Sequence, residues 1–144
     1  MRKILILKGI PASGKSTYAK QFVKDNEGWV RVCKDDIRLL YGLPFSWRFE
    51  KLVRIAEVNL VHQALNQDYN VVVDSTNLKP RDLTKWNTIA TEVNAEIEVK
   101  FFEVSLEEAI KRDSLRECTV GKEVVTTFYN QYYELSNNQG SGEA

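Results

Sequence analysis

The stretch GIPASGKS, from Gly9 to Ser16, limits what this chain can fold into more than any other feature. The apolar run ILIL precedes it. KSTYAKQFVKDN follows, with Tyr18, Ala19, Phe22 and Val23 at helical spacing. A strand, a tight turn and a helix in that order form a loop whose backbone N–H groups face inward, backed by the positive end of a helix. Gly9, Ala12, Ser13 and Gly14 are small enough for close approach to phosphate oxygens. Lys15 can reach the β- and γ-phosphates, the Ser16 hydroxyl suits Mg²⁺, and Thr17 lies in the first helical turn beside them. A chance glycine turn would match the same letters, but the strand before and the helix after favour a nucleotide-binding loop for ATP or another NTP. The loop does not say what receives the phosphate.

The remaining sequence limits the answer. The 144 residues suit one domain, with 43% hydrophobic and 28% charged residues. Lys plus Arg and Asp plus Glu both number 20. Bulk charge therefore argues against non-specific nucleic-acid scavenging, while leaving room for a local basic groove. No apolar run reaches membrane-spanning length, and MRKILILKGIP reads as a first strand, not a signal peptide. Cys33 and Cys118 stand apart, with no CxxC or Cys/His cluster, and read as buried thiols before metal ligands or a disulfide. A cytoplasmic protein is expected, in the host cytoplasm if phage-encoded. His62 is the single histidine and falls in a helical pattern, so any imidazole acid–base chemistry would have to use it.

Strands are expected at 3–8, 29–33, 71–74 and 96–104. Helices are expected from Lys15 to a left-handed cap at Gly28, over a short stretch closed by Gly42, from Trp47 to Asn66 behind a Ser46 cap, from Pro80 to about Asn94, after the capping box SLEE at 105–108, and over about 122–135. Residues 1–136 make one unit, and 137–144 a flexible tail. This alternation predicts an α/β fold with a central parallel sheet of about four strands flanked by helices. Right-handed crossovers place the carboxyl ends of the strands on one edge, where ligands bind. Ser16, Asp35, Asp74 and the turn after 104 would meet there.

VVVD ends in a carboxylate at a strand tip, the usual place for an acid that holds Mg²⁺; the alternative is that Asp74 caps the following turn, a role open to Asn77 as well. CKDDIR places two acids after the second strand. A hydroxyl attacking a γ-phosphate needs a proton acceptor that also orients it, and Asp35 or Asp36 can serve. Either can equally cap a short helix. Arg38 can grip an acidic group of the acceptor in bidentate fashion.

GIPASGKST, then KDDIR, then DSTNL resemble the kinase domain of the bacteriophage-type polynucleotide 5′-hydroxyl kinase family, P-loop kinases, over nearly the whole chain. The resemblance implies an ATP- and Mg²⁺-dependent kinase of nucleic acid repair, acting on the 5′-OH end of a single-stranded or nicked DNA or RNA. It assigns Asp35 as general base and Arg38 as the ligand of the acceptor phosphate. A lid near 112–121 supplies Arg116, with Arg112 second, to neutralise the transferring phosphate. A salt-bridged face with Glu108 and Asp113 is the alternative for these arginines. Asn77 belongs to the shared Thr-Asn-Leu. In LPFSWRF and just after it, Trp47 is a candidate for stacking a terminal base while Arg48, Lys51 or Arg54 meets its backbone; the alternative is that Phe45 and Trp47 staple the helix entry. The aromatics of FYNQYY at 128–133 read first as a core stripe.

Two departures matter. The phage enzyme has Ser-Asp where this chain has Asp74-Ser75, so its acid role does not transfer. No D-x-D-G-[TV] motif of its phosphatase domain occurs, which predicts a kinase-only version. A small-metabolite or nucleoside kinase on the same scaffold is the second reading, and a nucleotide-dependent switch or toxin-like relative the third.

Overall fold

The computed structural model describes residues 1–116 and 119–131. The expected tail at 137–144, the end of the last helix, Tyr132, Tyr133 and Cys118 lie outside the described residues.

Four parallel strands form the sheet: β1 (Lys3–Lys8), β2 (Trp29–Cys33), β3 (Asn70–Asp74) and β4 (Glu96–Phe101), in the order β2-β3-β1-β4. β1 is central because it is the most continuously apolar strand; Ile4 to Leu7 are buried on both faces. The crossovers are α1 (Lys15–Asp25), α2 (Lys34–Tyr41), a 3-10 turn (Trp47–Phe49) running into α3 (Glu50–Asn66), and α4 (Pro80–Val93). After β4 come α5 (Leu106–Ser114) and a helical stretch, 122–131.

Alternation along the strands sorts the side chains. Ile4, Ile6, Val71 and Val73 pack beneath α3 and α4 against Val53, Val61, Leu65 and Trp86, all fully or almost fully buried. Leu5, Leu7 and Val72 face α1 through Ala19. Each such side chain contributes roughly 1.5–3 kcal/mol on leaving water. A third cluster (Ile10, Leu78, Ala109, Val125 and Phe128) seats α5 and residues 122–131 at the carboxyl edge of the sheet. That packing brings the segment carrying Arg116 above the strand tips.

Local signals hold at several places. Ser46 Oγ accepts from the Arg48 amide, and Ser105 Oγ from the Glu108 amide. Two boundaries differ. α1 stops at Asp25, where Asn26 turns extended, and Gly28 instead forms the left-handed turn into β2 (φ 88°). β4 ends at Phe101, not 104: the Phe102 amide makes the last bond to β1, at Lys8 O where β1 itself ends, and the chain then turns toward the Ser105 cap.

Candidate active site

β1 delivers the chain into the phosphate loop at Lys8. Gly9 cannot carry a side chain there: a Cβ would lie 2.7 Å from Ser13 Oγ and 2.8 Å from Phe102 O. Its amide bonds Thr76 O at 3.0 Å, tying the loop to the residues after β3. Ala12 and Gly14 take left-handed backbone conformations (φ 64° and 102°), which reverse the chain. α1 then starts at Lys15 without a side-chain cap, so its first amides are left for a ligand.

Lys15 is buried. Its ammonium donates to Gly9 O (2.9 Å), Ile10 O (2.7 Å) and Ser13 Oγ (3.3 Å). Burial lowers its pKa to about 8, opposed by the carboxylates of Asp74 and Asp35 and assisted by the Arg116 charge. Those influences locate the tips of β2 and β3 and the lid arginine around one ammonium, as the sheet topology requires.

A cleft of about 650 Å³ opens here, lined by residues of the loop, both strand tips, α2 and the lid. Asp35 lines it. Its Oδ1 accepts from Arg38 Nη1 at 2.6 Å and its Oδ2 from Arg116 Nη2 at 2.9 Å, so two arginines fix the direction of the carboxylate. Arg38 is itself held. Its Nε and Nη2 donate to the Glu50 carboxylate at 2.8–3.0 Å, and its guanidinium lies 4.8 Å from the Phe45 ring centroid. Both partners of this pair are buried. Arg38 thus orients Asp35 as a built-in part of the cleft wall, a role beyond the acceptor grip expected of it.

Arg116 is positioned by Asp113, a buried carboxylate that accepts from the amides of Val120 and Gly121 (3.1 and 3.0 Å) and from Arg116 Nη1 at 3.4 Å. Arg112 pairs with Glu108 at 3.0 Å on the exposed helix face, although it also borders the cleft. Of the two, Arg116 is the one bonded to Asp35.

Asp74 lies on the α1 face of β3 and is buried, near Ser16. Between them sits Arg31 of β2, donating to Asp74 Oδ2 at 2.8 Å, to Asp36, and to Ser16 Oγ at 3.5 Å. A cation thus already sits among hard oxygen donors, which is the chemistry Mg²⁺ selects. Among the described residues no cluster of three or more His, Cys, Asp and Glu side chains forms a protein cage. The donor set fits Mg²⁺, which keeps waters and binds through few carboxylates plus substrate phosphates.

Two expected substrate contacts do not line the cleft. Asn77 is buried and away from the cleft lining: its amide donates to Leu7 O (2.7 Å) and Ser75 O, and its oxygen accepts from Trp86 Nε1 (3.0 Å). The Leu7 and Trp86 bonds tie β1 to α4, with Asn77 in a left-handed turn (φ 50°). Arg48 turns outward over Phe49 and does not line the cleft; Arg54, one α3 turn on, does. Trp47 does face the cleft, 54% exposed, packed edgewise on Phe45 and against Phe128. Phe128 therefore belongs to the core stripe expected of it and also to the cleft wall.

Sequence reasoning missed Glu50 and Arg31, and named Asp113 only as a partner on a salt-bridged helix face, the pairing with Arg116 that the structure shows. Glu50 carried a weak signal, an acid at the start of a helix twelve residues beyond Arg38. Arg31 carried one too, a charge in the middle of an otherwise apolar strand.

With this geometry in hand, comparison with known proteins is decisive for the family. Residues 4–135 match the family described as AAA domain. The chain belongs to that family. It is 27% identical over 153 aligned residues to the putative bifunctional polynucleotide kinase/RNA ligase of Autographa californica nuclear polyhedrosis virus, covering 94% of this chain and 22% of the relative. It is 29% identical over 138 residues to L-seryl-tRNA(Sec) kinase of Methanococcus maripaludis, covering 90% of this chain and 52% of that one. A solved chain of the Pnkp1/Rnl/Hen1 RNA repair complex superposes with a TM-score of 0.79 at 33% identity, over 95% of this chain and 46% of the other. The chain thus spans about a fifth to a half of the length of these proteins. The likenesses agree with the resemblance drawn from the motifs and make this a nucleotide-binding P-loop kinase domain. Among the described residues no helix is long and apolar enough to cross a membrane.

Proposed function

We propose that the domain transfers the ATP γ-phosphate to the 5′-hydroxyl end of a DNA or RNA strand. The observation that carries this reading is the placement of Asp35. Its carboxylate faces the same cleft as Lys15 and is held by Arg38 and Arg116. In phosphoryl transfer through a loose transition state, positioning and charge neutralisation matter more than covalent chemistry. Asp35 accepts a hydrogen bond from the attacking hydroxyl, orients it and takes its proton. Lys15 and the loop amides of Ala12, Ser13, Gly14, Ser16 and Thr17 hold the ATP phosphates, while Gly9, whose amide bonds Thr76 O, lets the loop pack closely. Arg116, with Arg112 beside it, meets the charge that spreads over the transferred group. Ser16 and Asp74 are the residues that would hold Mg²⁺, which neutralises the phosphate oxygens when bound. Closing the lid excludes water and limits wasteful hydrolysis.

The names of the similar proteins, a polynucleotide kinase/RNA ligase and a complex of RNA repair, support a nucleic-acid acceptor. So does the mouth of the cleft. Trp47 presents an exposed ring on a Phe45–Phe128 base, with Arg54 nearby, an open platform suited to a terminal base and its backbone and unlike a closed metabolite pocket. On this reading residues 1–136 form the kinase unit, and it works in the cytoplasm on single-stranded or nicked 5′-OH ends.

The test is transfer of labelled phosphate from ATP to a 5′-OH oligonucleotide, compared with a panel of nucleosides and small alcohols. Labelled oligonucleotide is expected, and Asp35→Asn should lose turnover while keeping ATP affinity. Preferential labelling of a small acceptor, or normal turnover by Asp35→Asn, overturns the assignment.

A further inference from the structure

Arg31 is a largely buried cation beside the phosphate loop that this reaction scheme leaves without a task. It sits in β2 in register with Val72, so its side chain takes the α1 face. Its side chain is 12% exposed, and its guanidinium spans Asp74, Asp36 and Ser16. Two of these, Ser16 and Asp74, are the groups read above as metal-holding. A guanidinium and a divalent ion cannot share one gap between the same oxygens, because each repels the other at contact distance.

We propose that Arg31 is an internal counter-cation that competes with the divalent metal and so couples metal entry to nucleotide binding. The inference rests on the reading of Ser16 and Asp74 as the metal side of the loop. The formal charges of Lys15, Arg31, Asp36 and Asp74 cancel. A free divalent ion therefore meets no net attraction and must displace an ion pair that is already hydrogen-bonded. The triphosphate brings several negative charges, which draw the metal in and offer the displaced guanidinium new oxygens. Metal alone then binds poorly and metal with nucleotide binds well.

The probe is Mn²⁺ alone, titrated into the nucleotide-free full chain and followed by electron paramagnetic resonance. Arg31→Gln should bind Mn²⁺ at least about tenfold more tightly than wild type. Added Mn²⁺ should also raise its melting temperature more than that of wild type, since the ion would neutralise the unpaired Asp74. Arg31→Lys, which keeps the charge, should stay near wild type, and Asp74→Asn in the Arg31→Gln background should abolish the gain. Unchanged Mn²⁺ affinity in Arg31→Gln overturns the proposal. So does equal tightening in Arg31→Lys, or a gain that survives Asp74→Asn. These readouts need no acceptor. A chain that gains Mn²⁺ on loss of Arg31 yet phosphorylates no oligonucleotide upholds the counter-cation and refutes the polynucleotide assignment.

Discussion

Replacing Glu50 by alanine should be the most damaging single change in the acceptor half of the cleft. Arg38 gives the Glu50 carboxylate three contacts, at 3.0, 2.8 and 2.9 Å, in a site where both side chains are 9% exposed. Removing one member of a buried pair leaves the other charge dehydrated, a loss of about 3–5 kcal/mol. Asp35 offers partial relief only, since it is 36% exposed and shared with Arg116. A chain of 144 residues unfolds with an entropy of about 300 cal/mol/K, so the loss corresponds to a fall in melting temperature of roughly 10–17 °C. Urea unfolding would give the free energy and calorimetry the temperature. Substituting both partners, Glu50→Leu with Arg38→Met, should recover much of the loss, because an apolar pair strands no charge. The cycle should show a coupling of about 2–3 kcal/mol. Turnover behaves differently: the double variant should stay inactive, having lost the group that orients Asp35, while its nucleotide affinity persists. A Glu50→Ala protein melting within about 3 °C of wild type, or single losses that simply add, would refute this account of the Arg38–Glu50 pair.

Three further outcomes follow from the same geometry. Lys15 titrates at about 8 when folded against 10.5 as its ordinary value, so the unfolded chain holds more protons between those values. The cost of burying its charge, about 3 kcal/mol, is present below pH 8 and is relieved as pH rises toward 10.5. Lys15→Met should therefore be most favourable to stability, relative to wild type, at pH 7, and the difference should shrink by pH 10 in urea titrations. A pH-independent difference would contradict it. Asn77→Ala should cost roughly 2–4 kcal/mol by stranding Leu7 O and Trp86 Nε1, with the oligonucleotide KM changed less than about twofold; a large KM effect at unchanged stability would return Asn77 to the substrate. Burial pushes the Cys33 thiol up to about 12, so in a Cys118→Ser background the folded protein should resist a disulfide reagent at pH 8 and react on unfolding; rapid reaction while folded would contradict its burial.

How far the site could be read from the sequence depended on how far apart the interacting residues lie. The loop was legible because Gly9, Gly14, Lys15 and Ser16 act within one turn of chain, and strand β1 because its apolar run is unbroken. Asp35, Arg38 and Arg116 were found by pattern, yet their mutual contacts were not. The Arg116–Asp35 bond joins residues 81 positions apart and exists because the Ile10–Leu78–Ala109–Val125 cluster seats the lid over β2. Arg48 lies off the cleft for a local reason: in the 3-10 turn leading into α3, successive side chains are about 120° apart, so Arg48 points away from the side that Trp47 presents to the cleft.

The inverted order Asp74-Ser75 shows how much one residue of register decides. Side chains alternate along β3, and the alternation carries on past its end. Val72 and Asp74 take the α1 face, where the acid meets Arg31 beside the phosphate loop. Val73 and Ser75 take the α3 face, where the Ser75 hydroxyl donates to the fully buried Glu57 at 2.5 Å and Lys85 approaches the other oxygen of that carboxylate. A carboxylate at 75 would confront Glu57 with a like charge in a dry site. A serine at 74 would leave Arg31 buried without its main partner. The order of these two residues is thus set by one partner on each side of the sheet. The departure from the phage pattern is a consistent rearrangement in which the acid, its arginine and the Ser16 hydroxyl converge on the nucleotide side, and the hydroxyl–glutamate pair braces the other.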